Sequence, residues 1–311
     1  MFKIFTKTRT LSGKNEIRCF GKKIVSYKTH KINYKNYSDL LFDIKSNIHK
    51  LPSNLDLIVG IPRSGMIPAY MIGLALNKPV CSLNEFLSGS FGSHGYTRKL
   101  SVSDDIKNIL IIDDSINTGK QYELVKKQLS DIQHKYQFTF AAVYYSTDQA
   151  FSVIDIPLVF VPQPRMFAWN YLNHALLSRA ALDIDGVLCV DPTEKENDDG
   201  EKYEHFLLNA RPLYIPKHKV AALVTSRLGK YRKLTEKWLS DNGVQYDKLY
   251  MLENKTAAQR RELGLHAAHK AAVYKKLKNC DLFIESEPVQ AQQIAKLSGK
   301  RVVCSQNDII Y

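Results

Sequence analysis

The sequence has few cysteines and no long apolar run, and both absences narrow the kind of protein it can encode. Its 311 residues include five cysteines, which are scattered and form no Cys-x-x-Cys pair. We therefore predict reduced thiols in a cytosolic protein and no zinc site. No apolar run reaches the ~18 to 20 residues that a membrane span requires. The segment Met1–Lys7 lacks the apolar region of a secretion signal, so we expect neither a transmembrane segment nor export.

Acidic residues are fewer than basic residues in this sequence. Lys and Arg number 44 against 31 Asp and Glu, which gives a formal net charge of +13. This excess favours polyanionic partners, namely phosphorylated small molecules, nucleic acid or an anionic membrane surface. With 44% hydrophobic residues the composition is that of a soluble globular protein, and the length predicts two domains.

The stretch 108–120 organises the first half of the chain. Ile109–Ile112 predicts a buried strand, which ends in Asp113 and Asp114 and is followed by a small polar loop, 115–119, and a helix. This order points backbone N–H groups at one spot, where the helix dipole adds positive potential and favours a phosphate. The carboxylates accept hydrogen bonds from vicinal hydroxyls or hold a metal ion. A phosphate beside a diol predicts a ribose 5-phosphate site.

A second strand and turn precede this stretch. Leu55–Gly60 predicts a strand that runs into a short loop, and Gly60 and Gly65 allow close backbone approach. Arg63 on that loop suits pyrophosphate oxygens. Residues 84–105 have no periodicity and predict a mobile loop, which either closes over a reacting site or is a plain surface loop.

The order of the predicted elements in the first half is that of a doubly wound, mostly parallel α/β sheet. Further strands are predicted at 138–145 and 158–161. In such a sheet, ligands bind at the carboxyl ends of the strands. Residues 1–35 predict a basic hairpin of strands 16–20 and 23–27, which is either a solvated edge sheet or a surface for a lipid-linked or phosphorylated acceptor.

Residues 55–170 resemble the type I phosphoribosyltransferases. The stretch Asp113–Gly119 is similar to their motif for phosphoribosyl pyrophosphate (PRPP), and Gly60–Gly65 is similar to their pyrophosphate loop. The resemblance implies that Asp113 and Asp114 hold the ribose hydroxyls and act in catalysis. It also implies a set of substrate-binding residues: Arg63, Ser64, Gly65, the flexible-loop residues Arg98 and Lys99, the phosphate-loop residues Ser115, Ile116, Asn117, Thr118 and Gly119, and Trp169 beside the acceptor.

A second domain is predicted from residue 179, which divides the chain into 1–178 and 179–311. Its first strand ends in Asp183-Ile184-Asp185-Gly186. Carboxylates two positions apart on an extended strand point the same way. One can attack phosphorus while the other moves a proton, and Asp183 with the Asp185 carbonyl can share Mg²⁺.

Two further strands of this domain end in polar groups, and a basic helix carries Lys270. Val220–Val224 leads to Thr225 and Ser226, and Asp281–Ile284 leads to Glu285-Ser286-Glu287. Residues 180–304 thereby resemble the haloacid dehalogenase superfamily of phosphatases. The resemblance implies Asp183 as the nucleophile, Asp185 as the acid/base, and Thr225 and Lys270 as phosphoryl-binding residues, with Ser226 as a further substrate-binding residue. It implies Glu285 as the third Mg²⁺ ligand, with Glu287 as second choice.

Two features qualify the second resemblance. The superfamily usually has aspartates where this chain has Glu-Ser-Glu, which leaves a catalytically inactive fold as an alternative. The segment 191–219 is short and charged. It leaves room only for a minimal, open cap, which suits a bulky substrate.

The two resemblances together imply a transfer followed by a dephosphorylation. The expected reaction attaches ribose 5-phosphate from PRPP to a glycan, carried on a lipid at the cytoplasmic face of the membrane, and then removes the 5-phosphate. The product would be a β-ribofuranosyl unit of a bacterial surface polysaccharide such as O antigen or capsule, and no nucleic-acid partner is expected. Two alternatives stay open: a nucleobase phosphoribosyltransferase with a nucleotidase domain, and a nucleic-acid-binding regulator with the phosphoribosyltransferase fold.

Overall fold

The structure, a computed structural model, describes residues 5–9, 14–19, 22–28, 32–90, 106–147, 152–253 and 265–311. Contacts divide the chain into two compact units, Met1–Arg165 and Met166–Tyr311. The sequence places this division later, at 178/179. The difference arises because the segment up to Arg179 packs within the second unit. The Ala221 N–H donates to the Leu177 carbonyl (3.1 Å) and Arg179 forms an ion pair with Asp281.

The first unit begins with an antiparallel sheet of three strands in the order β1-β2-β3. The strands are β1 (Phe5–Arg9), β2 (Lys14–Cys19) and β3 (Lys22–Lys28). β2 and β3 form the hairpin that the sequence predicts. The sequence reasoning missed β1.

The core of the first unit is a parallel sheet of five strands. After β4 (Asn33–Lys35), the sheet contains β5 (Leu57–Gly60), β6 (Val80–Ser82), β7 (Asn108–Ile116), β8 (Gln137–Tyr145) and β9 (Ile156–Phe160), in the order β6-β5-β7-β8-β9. Its helices are α1 (Tyr37–Asn47), α2 (Met66–Leu76), α3 (Leu83–Leu87) and α4 (Lys120–Leu129). Ile109–Ile112 on β7 are fully buried, as expected for a parallel strand covered on both faces.

Helix α3 corrects part of the predicted mobile loop. Ser82 and Glu85 form a reciprocal capping box, in which each side chain accepts a hydrogen bond from the backbone N–H of the other residue. Such a box fixes a helix start even in a segment without apolar periodicity. The rest of that predicted loop, 91–105, lies outside the described residues, and so do Arg98 and Lys99.

The second unit contains a six-stranded sheet. After β10 (Arg165–Phe167), at the division between the units, its strands are β11 (Ala180–Leu182), β12 (Ala222–Leu228), β13 (Leu249–Leu252), β14 (Leu282–Glu285), β15 (Val302–Cys304) and β16 (Ile309–Ile310), in the order β13-β12-β11-β14-β15-β16. Only β16 runs antiparallel to its neighbour. The helices are α5 (Glu201–Asn209), α6 (Arg232–Asp241), α7 (Leu265–Lys276) and α8 (Pro288–Ser298).

The two sheets confirm the predicted fold class, an α/β chain with two doubly wound, mostly parallel domains. The sequence also predicts a connecting helix over 171–179, and this prediction is wrong. The segment forms two short 3-10 turns, Tyr171–Asn173 and Ala175–Arg179, because His174 between them is extended and its Nδ1 accepts from the Leu176 N–H at 3.1 Å.

Two predictions from composition can also be compared with the structure. Four of the cysteines, Cys81, Cys189, Cys280 and Cys304, are buried with free thiols. Among the described residues, no helix is long and apolar enough to cross a membrane.

Candidate active sites

The acidic pair of the first unit lies beside the turn that follows the neighbouring strand. The register pairs Gly60 with Ile112, so the loop after β5 starts level with Asp113 and Asp114. The Ile61 N–H donates to the Ile112 carbonyl at 2.9 Å, and the Ser64 hydroxyl donates to Asp114 Oδ1 at 2.8 Å. The two turns that the sequence singles out therefore form one site at the carboxyl edge of the sheet.

Gly65 permits this contact. A Cβ at Gly65 would lie 2.5 Å from the Ile61 carbonyl oxygen and 2.8 Å from Asp113 Oδ1. Any side chain there would push the loop away from the acidic pair, so the glycine is required by close packing. Arg63, on the same loop, is exposed to solvent.

The predicted phosphate loop begins later than expected. β7 continues through Asp113 and Asp114 to Ile116, and the turn proper runs from Asn117 to Gly119. Gly119 has φ of +81°, and helix α4 starts directly after it. The first N–H groups of a helix have no partner inside the helix, so the start of α4 supplies donors and positive potential at this turn.

The Asn117 side chain is held from outside the turn. Its Oδ1 accepts a hydrogen bond from the Ser146 hydroxyl at 2.9 Å. The end of β8 therefore helps to position the loop, a contact that local sequence patterns do not reveal.

Arg165 is a residue of this site that the sequence reasoning missed. Its buried guanidinium donates to the Ile116 carbonyl at 2.8 Å and lies in the field of Asp113 and Asp114. Burial, followed by the charge of Asp114, raises the pKa of Asp113, and the Arg165 charge opposes that rise. Burial lowers the pKa of Arg165 to about 10. The only sequence signal was an arginine in a stretch, 158–169, whose only other polar residue is Gln163.

Trp169 is placed in the other unit. Its ring stacks on that of Phe167, with centroids 4.8 Å apart and planes at 2°. Its predicted position beside the acceptor stays a prediction.

The second unit has a cavity of about 300 Å³ at the carboxyl ends of β11, β12 and β14, the neighbouring strands at the centre of its sheet. The volume is at the lower end of the range for ligand pockets, about 300–1,000 Å³. Most of its lining residues are polar: Asp183, Asp185, Asp191, Pro192, Asn197, Tyr203, Ser226, His266, Lys270, Glu285, Ser286, Glu287 and Gln290.

Lys270 joins the predicted nucleophile and a predicted metal ligand inside this cavity. Its Nζ lies 2.5 Å from Asp183 Oδ2 and 2.7 Å from Glu285 Oε2, and all three side chains are buried. Burial raises the pKa of Asp183, and the positive charge of Lys270 opposes this shift. Although its own burial has the opposite effect, the adjacent carboxylates raise the pKa of Lys270, so it stays a cation.

Asp185 is held by Arg227, a second residue that the sequence reasoning missed. The Arg227 Nη2 donates to Asp185 Oδ1 at 2.6 Å, and Nε lies 3.1 Å from both carboxylate oxygens. The Arg227 side chain is fully buried, whereas that of Asp185 is 19% exposed. The guanidinium therefore fixes the direction in which the carboxylate faces the cavity.

Of the two predicted hydroxyl residues, only Ser226 reaches the cavity. Ser226 lines the cavity, whereas Thr225 does not, is fully buried, and accepts from the Arg227 N–H at 3.2 Å through its hydroxyl. β12 extends through both residues, and side chains alternate along a strand. Ser226 is thus the better placed of the two to meet a phosphoryl group.

Glu287 stabilises the start of a helix. Its carboxylate accepts from the Val289 N–H at 3.0 Å and the Gln290 N–H at 2.7 Å and so caps α8. Glu285 is buried and in contact with Lys270. This geometry favours Glu285 over Glu287 as a metal ligand.

The oxygen donors in the cavity fit Mg²⁺ in kind. Mg²⁺ takes oxygen ligands and is commonly held by one or two carboxylates together with waters and substrate phosphate. Asp183, the Asp185 carbonyl and Glu285 supply such a set. No cluster of three His, Cys, Asp or Glu side chains arranged for a metal occurs in the described part of the chain. The lining nevertheless contains five carboxylates against one lysine, and this excess of negative charge favours a cation beside an anionic phosphate.

No family model matches the chain, and no curated protein sequence matches it. Several solved structures show some similarity. The xanthine-guanine-hypoxanthine phosphoribosyltransferase of Helicobacter pylori is 19% identical, with 46% of this chain and 94% of that one covered at a TM-score of 0.36. The purine phosphoribosyltransferase of Pyrococcus horikoshii Ot3 is 22% identical (45% and 95% covered, TM-score 0.34), and the orotate phosphoribosyltransferase of Aeropyrum pernix is 16% identical (40% and 70%, 0.29). These values are too low to place the chain in a family.

Proposed function

We propose that the chain is a bifunctional enzyme that transfers ribose 5-phosphate from PRPP to a glycan acceptor and then removes the 5-phosphate. The observation that carries the proposal is the presence of two sites with complementary chemistry in one chain. One places two carboxylates beside a turn at a helix start, and the other places Asp183 against Lys270 in a polar cavity of about 300 Å³. Nucleotide salvage would not benefit from the second site, because it would undo the product.

In the transfer step, the first unit holds the donor at both ends. Asp113 and Asp114 accept hydrogen bonds from the ribose hydroxyls, and the turn before α4 holds the 5-phosphate. Arg63 binds the pyrophosphate that leaves C1 as the acceptor oxygen attacks, and it stabilises the charge that develops on it. Direct displacement of the α-configured donor gives a β-ribofuranoside, which anomeric NMR of the product would test.

In the second step, Asp183 attacks the phosphorus of the 5-phosphate. The bond from phosphorus to the C5 oxygen breaks as that oxygen takes a proton from Asp185, which leaves a phosphoaspartate. Asp185 then takes a proton from water as the water attacks phosphorus, and the products are inorganic phosphate and the Asp183 carboxylate. Lys270 and Ser226 bind the phosphoryl oxygens. Mg²⁺, held by Asp183, the Asp185 carbonyl and Glu285, would neutralise charge on the transferring group.

The acceptor is proposed to be a glycan on a lipid carrier, which would place the enzyme at the inner face of the cell membrane. The net charge of +13 supports an anionic surface or a lipid diphosphate as a partner.

A mass-spectrometric assay tests the proposal. The wild type and Asp183→Asn are incubated with PRPP, Mg²⁺ and a panel of glycan and nucleobase acceptors. We expect a ribosylated glycan from the wild type and the same product with one additional phosphate from the variant. Identical products from both proteins would disprove the phosphatase step. Nucleotides or nucleosides as the only products would show that the acceptor is a nucleobase and not a glycan. Salt-sensitive nucleic-acid binding without PRPP turnover would indicate a regulator.

A further inference from the structure

The proposed function requires the phosphatase site to distinguish two molecules that share a 5-phosphate. PRPP and the transferred product differ at C1, which carries pyrophosphate in the donor and a neutral sugar in the product. A phosphatase that acted on both would destroy the donor before transfer. The second unit therefore needs a feature that recognises the charge at C1.

Asp191 stands apart from the other carboxylates that line the cavity. Asp183 and Glu285 contact Lys270, Asp185 contacts Arg227, and Glu287 caps α8. Asp191 is exposed, and within the described part of the chain its carboxylate makes no hydrogen bond or ion pair. It is thus a carboxylate that is open to whatever enters the cavity.

The position of Asp191 is close to the reacting groups. A Cβ at Gly186, the glycine after Asp185, would lie 2.9 Å from Asp191 Oδ2. Partial burial raises the pKa of the Asp191 carboxyl, the charges of Asp185 and Glu285 raise it further, and those of Lys270 and Arg227 oppose the rise. Asp191 therefore interacts electrostatically with the proposed catalytic carboxylates.

The segment that carries Asp191 is tied down at its other end. The Tyr231 hydroxyl lies 2.8 Å from Asp199 Oδ1, and Lys230 Nζ lies 2.9 Å from the same oxygen. Asn197 and Pro192, between these points, also line the cavity. Because the phosphoryl group must reach the buried Asp183, the sugar must lie against the remaining lining residues, and this tethered segment supplies several of them.

We propose that Asp191 is a specificity-determining residue that admits a 5-phosphate with a neutral group at C1 and rejects one with phosphate or pyrophosphate at C1. This inference rests on the proposed phosphatase function. A carboxylate accepts hydrogen bonds from sugar hydroxyls but meets a second phosphate as another anion that only accepts. Like charges brought together in this way disfavour the wrong ligand, whereas a neutral glycoside has no such conflict.

The test uses two substrates that differ only at C1: methyl β-ribofuranoside 5-phosphate and β-ribose 1,5-bisphosphate. Release of the 5-phosphate is measured with Mg²⁺ for the wild-type chain, Asp191→Asn and Asp191→Lys. We expect the wild type to prefer the methyl glycoside, Asp191→Asn to reduce the ratio of the two kcat/KM values by about tenfold, and Asp191→Lys to reduce it further. Glu194→Gln, an exposed carboxylate of the same segment that does not line the cavity, is the matched control and should keep the wild-type ratio.

The outcomes separate the inference from the function on which it rests. An unchanged ratio in both Asp191 variants, or a wild type that hydrolyses the bisphosphate equally well, overturns the role of Asp191 and leaves the phosphatase intact. A wild type that releases phosphate from neither substrate overturns the phosphatase function and the inference together.

Discussion

Lys270 is the single cation between two buried carboxylates. The exposed fractions of the Asp183, Lys270 and Glu285 side chains are 6%, 3% and 1%. Taking one partner from such a buried group leaves charge without compensation, and this costs about 3–5 kcal/mol.

We therefore predict that Lys270→Met lowers the free energy of unfolding by about 3–5 kcal/mol. Denaturant unfolding in EDTA measures the change, and Mg²⁺ should restore part of the loss because it replaces the missing positive charge. Lys237→Met removes an exposed ion pair with Asp241 and serves as the control, with little expected change. Equal stability of Lys270→Met and the wild type would contradict the buried ion group.

Arg227 should act through Asp185. Arg227→Lys keeps the charge but loses the two-point contact, so Asp185 is no longer held in one direction. We expect kcat for 5-phosphate release to fall about 10- to 100-fold with little change in KM.

A double variant distinguishes this role from a purely structural one. In an Asp185→Asn background, Arg227→Lys should reduce kcat little further, because the two residues act as a unit. Fully additive losses would show that Arg227 does not work through Asp185. Arg232→Lys, at a half-buried arginine of the same unit that does not line the cavity, is the control.

Among single residues, the sequence predicted those that belong to the motifs and missed the arginines that position them. Asp183, Lys270 and Glu285 follow from position in the pattern, and they do meet. Arg227 and Arg165 escaped because their roles depend on partners distant in sequence. Thr225 was wrongly placed at the cavity because side chains alternate along β12, so only its neighbour Ser226 faces the cavity.

The turn between β5 and α2 is the element on which the first site depends. Gly65→Ala adds a Cβ at 2.5 Å from the Ile61 carbonyl oxygen and 2.8 Å from Asp113 Oδ1. We predict loss of transfer, with a loss of stability of about 1–3 kcal/mol from overpacking, while 5-phosphate release by the second unit continues.

Separate assays of transfer and 5-phosphate release measure this effect. Gly200→Ala is the control, since the nearest atoms to its added Cβ lie at 3.7 Å. If Gly65→Ala transferred ribose 5-phosphate at the wild-type rate, the contact between the loop and the acidic pair would not matter for the reaction.

Strands were the most predictable elements. The apolar runs of β5, β7, β8 and β14 are each recovered within a few residues, because strands buried on both faces need continuous apolar sequence. Helix α3 and the 3-10 turns at 171–179 were not, since a capping box and a histidine side chain set them rather than periodicity.

For the whole molecule, the order of the two reactions predicts complementation. Asp114→Asn should lose transfer and keep 5-phosphate release, and Asp183→Asn should do the reverse. We expect a mixture of the two variants to form the product without phosphate, because the phosphorylated intermediate can pass between molecules. Time courses by mass spectrometry measure the formation of this product, and each variant alone is the control. If the mixture accumulates only the phosphorylated product, the intermediate does not leave the chain on which it forms.

The buried group of Asp183, Lys270 and Glu285 also bears on how the chain can evolve. Replacing a buried ionic group by apolar residues of similar volume is often neutral or stabilising, whereas replacing one member is strongly destabilising. A lineage that no longer needed the phosphatase would have to pass through unstable single substitutions to remove the group. The three residues would therefore persist after activity was gone, and the more exposed Asp191 would diverge first. In related sequences, the residue at position 191 is the more sensitive sign of a working second site.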